Sequence, residues 1–218
     1  MGLLDDLKKQ AELVKTQQLS QQSILEENIK LVEARMQQAF QYLHELLKQL
    51  AVLKPTNPIV YTIPGAGDLR NLGFVDSFID YRKKKIGDKD YFDTILLFVK
   101  WATPETLTVE RDMPAAIQKL NDVLWGSGIK FTEEKIKKPG GSFEKMKFTI
   151  PCKLTCDITI TADHANARLL VKGKHFFRLG MDELRIPAGE VDETLLEEFA
   201  KMLIGQPSAL RKYRGAAL

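Results

Sequence analysis

Residues 25–53 read LEENIKLVEARMQQAFQYLHELLKQLAVL, and apolar side chains recur in them with a fixed period. They stand at Leu25, Ile29, Val32, Met36, Ala39, Leu43, Leu46, Leu50 and Leu53, in steps that alternate four and three. That spacing is the seam of an amphipathic helix packing along one narrow line. The flanks are rich in Gln, Glu and Lys, as on a coiled-coil surface. The seam is therefore expected to self-associate with its copy in a second chain, giving a homo-oligomer, in preference to the alternative of folding onto the chain's own sheet.

Upstream, Leu4, Leu7, Ala11 and Val14 share a helical face, and a polar, glutamine-rich patch follows from Thr16 to Ser23. Ser23 and Glu26 have capping-box spacing, and the seam shifts by one residue across the patch. Both features favour a break or stutter over one unbroken helix. Gln18, Gln21 and Asn28, where the seam passes them, would weaken it and fix its register. Downstream, Pro55 and Pro58 end the helix, and residues 55–73 read as a linker. Its Pro64-Gly65-Ala66-Gly67-Asp68 misses the glycine spacing of a dinucleotide fingerprint and is read as a turn.

From Phe74 the apolar period changes to two, the signature of strands. Tyr91 to Trp101 runs apolar on both faces through its middle and is expected to lie in the sheet centre, covered on both sides. Thr103-Pro104 should break it, with Leu107 to Arg111 a separate strand. Asp112, Pro114 and Gly126 bracket a middle helix. Pro139-Gly140-Gly141-Ser142 joins the strands Ile129–Lys137 and Phe143–Ile150 as a hairpin. Cys152, Leu154, Cys156, Ile158, Ile160 and Ala162 alternate with polar residues, one face core and one face water. Ala167–Val171 pairs back on that strand, and Leu184–Ile186 adds a short one. Asp192 caps a last helix buried through Leu195, Leu196, Phe199, Met202 and Leu203.

The fold class expected is α+β: a long N-terminal, coiled-coil-like helix, then an antiparallel sheet of six to eight strands with a middle and a C-terminal helix. The divisions read are an assembly segment (1–54), the linker (55–73), the sheet domain (74–205) and a short basic tail (206–218).

A net charge of +3 over 218 residues is too small to demand a polyanionic partner. Two aspartates directly after Leu4 do not suit a secretory leader, and no apolar run is long enough to span a bilayer. A cytoplasmic protein without membrane insertion is expected. Cys152 and Cys156 are four apart on one strand, about 13 Å, too far for a mutual disulfide, and read as reduced core residues.

Catalysis by a nucleophile or metal needs convergent His, Cys or carboxylate groups. His44 reads as helix-flank packing. His164 and His175 are weak metal candidates that would meet across a hairpin but lack a third ligand. Paired carboxylates such as Asp76 with Asp80 stand at solvated strand positions. Lys172-Gly173-Lys174-His175-Phe176-Phe177 resembles the aromatic strand of RNA-recognition domains but has Lys174 where a ring is required, so nucleic acid is not expected. From Asp112 to Gly189 there are 13 Lys and Arg against 9 Asp and Glu. Within that excess Lys145, Lys147 and Lys153 share an outward strand face, with Lys137 and Lys138 at the hairpin tip. This is the candidate face for an anionic ligand or an acidic protein. No cofactor is expected. The reading that follows is a non-enzymatic scaffold assembling through its N-terminal helix; the alternative is a module holding an apolar or anionic small molecule between sheet and helix.

Overall fold

The computed structural model describes residues 3–215. Helix α1 (Leu3–Leu53) is one continuous helix of 51 residues, about 76 Å long at 1.5 Å per residue. There is no break at Ser20–Ser23. The patch there contains neither Gly nor Pro, glutamine is a good helix former, and propensity carries the helix through. It ends at Lys54, whose φ of 45° is left-handed, before Pro55.

The expected α+β architecture is the observed one. A curled antiparallel sheet of seven strands has the order β1-β4-β5-β7-β8-β9, with β6 also paired to β7. These are β1 (Thr56–Asn57), β4 (Leu72–Ile86), β5 (Lys89–Arg111), β6 (Thr132–Lys137), β7 (Phe143–Asp163), β8 (Arg168–Lys174) and β9 (Met181–Pro187). The stretch read as a linker is folded. Besides β1 it forms the small hairpin of β2 (Tyr61–Ile63) and β3 (Gly67–Leu69), turned through Pro64 to Ala66, and it buries Tyr61, Ile63, Leu69 and Leu72.

Strands β5 and β7 are long because neither proline breaks them. Pro104 falls where the β5–β7 register is irregular, between Ala102 and Thr106, and Pro151 pairs with Thr106 at the end of that irregularity. A proline removes one ladder donor, and a bulge has no use for that donor. Thr103-Pro104 therefore bends one strand instead of separating two.

The buried face of the sheet is continuous. Every second residue of β7 from Met146 to Ala162 is buried, facing Ile95, Leu97, Val99 and Trp101 of β5. On the other face Leu96 and Phe98 are half-buried, and Phe98 stacks on the exposed Phe78. The outer cover expected for this strand is thus absent among the described residues. Helix α2 (Pro114–Gly126) packs near β5 through Leu120 and Leu124. Its cap position is Met113, with no side-chain cap from Asp112. Helix α3 (Glu193–Leu203) buries the five side chains expected of it, and the Asp192 carboxylate accepts a hydrogen bond from the Leu195 amide at 2.8 Å.

The C-terminal half of α1 lies across the buried face, touching β4, β5, β7, β8 and α3. Ile29, Val32, Met36, Ala39, Leu43, Leu47 and Leu50 enter the shared core. Phe40 packs edge-on to Tyr81 at 4.8 Å and lies 6.1 Å from Phe92. The preference for packing this seam in trans is therefore corrected for Ile29 to Leu50, which the chain's own sheet covers. Leu47 is buried where Leu46 was expected, because an undistorted helix drifts about 20° per heptad relative to a 3.5-residue repeat. At the seam's two ends Leu25 is 42% and Leu53 72% exposed. With the second half of α1 packed on the sheet, Ile29 to Leu50 belong to the body's core. The basic tail is also held to the body: Leu210 is buried and Arg214 pairs with the buried Asp182.

Candidate functional site

Where the sheet ends, α1 continues. Gln10 and every residue from Glu12 to Glu27 are exposed, so the helix leaves the body as a single rod. Its exit is fixed on two sides. The Asn28 side-chain amide donates to the Ala165 carbonyl in the β7–β8 turn at 3.2 Å, and the Glu33 carboxylate accepts from the Phe92 amide at 2.6 Å.

The rod carries exposed Leu13, Val14, Leu19, Ile24 and Leu25. Leu13 and Ile24, and likewise Val14 and Leu25, are eleven residues apart, three helical turns with little angular drift, so the two pairs share a face. Met36 and Leu47 continue that spacing into the core. One apolar stripe thus runs from Leu13 to Leu50, covered by the sheet from Ile29 onward and open from Leu13 to Leu25. Between the open pairs lie Gln17, Gln18 and Gln21. The side chains of Leu4, Leu7 and Ala11, read as sharing this face with Val14, lie outside the described residues. Leu13 and Ile24 fall outside the alternating steps of three and four and are legible in the sequence only as an eleven-residue repeat.

The predicted basic face is not one surface. Lys145 forms an ion pair with Glu110 at 2.6 Å. Lys147 stands opposite Glu110 on β5 and Glu134 on β6. Lys137 and Lys138 are exposed at the β6–β7 hairpin end. Lys153 lies beyond Pro151, away from these acidic neighbours, opposite Ala102. Cross-strand acids alternate with the bases, which leaves little net field on this part of the sheet.

The two histidine candidates do not meet. His164 sits in the turn before β8 and His175 follows its last residue, so the strand's seven residues, about 23 Å, separate them. Among the described residues, no three His, Cys, Asp or Glu side chains gather as a metal site. Both histidines are buried instead. His164 lies under Tyr91, neither ring nitrogen has a hydrogen-bond partner among the described residues, and burial, then Lys84, holds its pKa below the usual value. His175 has φ +63°, accepts the Gly180 amide on Nδ1 at 3.1 Å, and is pushed down to about 4 by burial and, secondarily, by Lys174. Phe176 and Phe177, beside it, are buried edge-to-face against each other and present no ring to a base. Burial raises the thiol pKa of both Cys152 and Cys156, which keeps them protonated.

Comparison of the chain with protein-family models, with curated proteins and with solved structures gives no match. No helix among the described residues is long and apolar enough to cross a membrane.

Proposed function

We propose that this is a non-enzymatic assembly protein, in which a sheet body anchors one long helix whose projecting half docks against the same half of a second copy. The observation that carries the reading is the division of a single apolar stripe: Met36 and Leu47 lie in the core, while Val14 and Leu25 on the same face have no cover. An isolated helix of this length is marginal in water, because most helical stability comes from packing an apolar face. A second rod supplies that packing with a self-complementary interface, and Gln17, Gln18 and Gln21 at its middle set the register by hydrogen bonding to one another.

The test is light scattering coupled to size exclusion on the full chain and on the doubly substituted Val14→Lys, Leu25→Lys chain. The wild type is expected as a dimer or larger that dissociates on dilution. The double variant is expected as a monomer with the same urea midpoint for its body, since neither side chain is in the core. A wild-type chain that stays monomeric at every concentration sinks the homo-assembly reading.

A further inference from the structure

Strands β6 and β8 both pair with the edge of β7 that β5 leaves free, but they do not meet. β6 takes residues 143–149 and β8 takes residues 157–163. Residues 150–156 between them have no strand partner on that edge, so the sheet is forked there. The loop after α2 crosses the fork: a Cβ on Gly128 would lie 3.9 Å from the Lys174 ammonium. Under and beside this loop is a cleft of about 640 Å³.

Its walls carry four lysines, Lys100, Lys130, Lys153 and Lys174, against one carboxylate, Asp157. Lys100 is drawn away, paired with Asp76 at 3.1 Å and lying over the Phe98 ring. Among the described residues Lys130, Lys153 and Lys174 have no carboxylate within ion-pair distance. Most other cationic clusters on this chain are interleaved with acids, as Lys145 and Lys147 are. Asp157 stands opposite Lys174 across the β7–β8 pairing, which leaves three lysines against one carboxylate, and a bound anion relieves the remaining repulsion. The apolar Ile129, Pro151 and Leu154 favour an organic ligand. Trp101 also borders the cleft, its ring packed edge-on to Phe74 on the buried face of the sheet.

We propose that the fork binds a small organic oxyanion, a phosphate ester or a carboxylate. The anion sits among Lys130, Lys153 and Lys174, and the apolar body lies against Ile129 and Pro151. This site is independent of the projecting helix and stands or falls apart from the assembly reading.

The experiment uses Trp101 as reporter in the full chain carrying Trp125→Phe, which removes the exposed second indole. Phenyl phosphate, phenylacetate, inorganic phosphate and neutral phenol are titrated separately while tryptophan emission is followed. The expected result is a saturable change with phenyl phosphate or phenylacetate at about 1 mM or below, the range of a weak but specific small ligand. Whichever aromatic anion binds more tightly identifies the ligand class, and phenol is expected to give no saturation. Lys130→Met with Lys153→Met, which keeps the apolar stems of two exposed side chains, should weaken binding at least about tenfold. Lys137→Met with Lys138→Met should leave it unchanged. No saturation with either aromatic anion, an equal response to phenol, or undiminished binding in the Lys130 and Lys153 variant would each overturn the proposal.

Discussion

His175 holds a conformation that few residues tolerate, in a place where a charged ring is not tolerated. Its amide donates to the Gly180 carbonyl at 3.0 Å, its carbonyl accepts the Tyr61 hydroxyl at 3.0 Å, and its ring is buried neutral with a pKa of about 4. In the unfolded chain the same ring titrates near the ordinary histidine value of about 6.5. Between these two values the unfolded state takes up a proton that the folded state refuses, so stability falls as pH drops from about 6.5 to about 4 and is flat above that window. His164, also depressed by burial, adds to the loss in the same direction. The urea midpoint is therefore expected to be lower at pH 5 than at pH 7. In His175→Asn the left-handed backbone is kept and Oδ1 replaces Nδ1 as acceptor. This variant is expected to lose much of the pH dependence while keeping its midpoint at pH 7; an unchanged pH dependence would place the effect elsewhere. Gly173 gives a second expectation at this scale. A Cβ there would stand 2.3 Å from the Asp157 carbonyl and 3.0 Å from the Ile158 side chain. Strand β8 cannot make room without losing its pairing to β7, so Gly173→Ala should destabilise by about 3 kcal/mol in urea unfolding.

Helix α1 is the element in which sequence and structure inform each other most. Its period was legible because 3.6-residue periodicity is a local property of the chain. What covers the seam was not, because the covering surface is a sheet assembled from strands 20 to 130 residues further on. The same limit applies to the lysine cleft. Lys130, Lys153 and Lys174 come from a loop and two strands, and no window of sequence contains the fork that unites them. Counting charge along the chain pointed to Lys137, Lys138, Lys145, Lys147 and Lys153; of these Lys145 and Lys147 have Glu110 and Glu134 brought alongside by pairing, and Lys153 alone lines the cleft. The in–out alternation from Cys152 to Ala162 in β7 and the buried face of the final helix were read correctly because each alternates or repeats within one short segment. Pro104 was read as a break because a proline is excluded from a regular ladder, and only pairing reveals an irregular one. The two halves of α1 should separate cleanly under substitution. Leu43 is fully buried, so Leu43→Ala should lower stability by about 3 kcal/mol and leave the oligomeric state unchanged at concentrations where the chain is folded. Leu25→Lys should do the reverse. If Leu43→Ala abolished assembly without loss of stability, the division of the helix between core and partner would be wrong.

For the whole molecule, the consequence is a body that cannot be cut at the end of its first helix. Removing residues 1–54 would take six buried side chains, Val32 to Leu50, out of the one core cluster that also holds the sheet and α3. At roughly 2 kcal/mol for each large apolar side chain returned to water, that loss is comparable to the entire net stability of a domain. Residues 55–218 alone are expected to aggregate or to lack a cooperative transition. A chain lacking only residues 1–24 loses no side chain that is buried among the described residues, and should fold as a monomer with Trp101 still buried. Dilution of the full chain gives the complementary measurement. On the assembly reading proposed above, the body's core holds its secondary structure at any concentration, whereas the projecting rod relies on a partner. Helical ellipticity at 222 nm should therefore fall on dilution through the dissociation range while the emission of Trp101, isolated by Trp125→Phe, stays constant. The chain lacking residues 1–24 should show no such fall. Ellipticity independent of concentration in an assembled full chain that demonstrably dissociates would mean that the rod is stable alone, and the argument that its apolar stripe requires a partner would be lost.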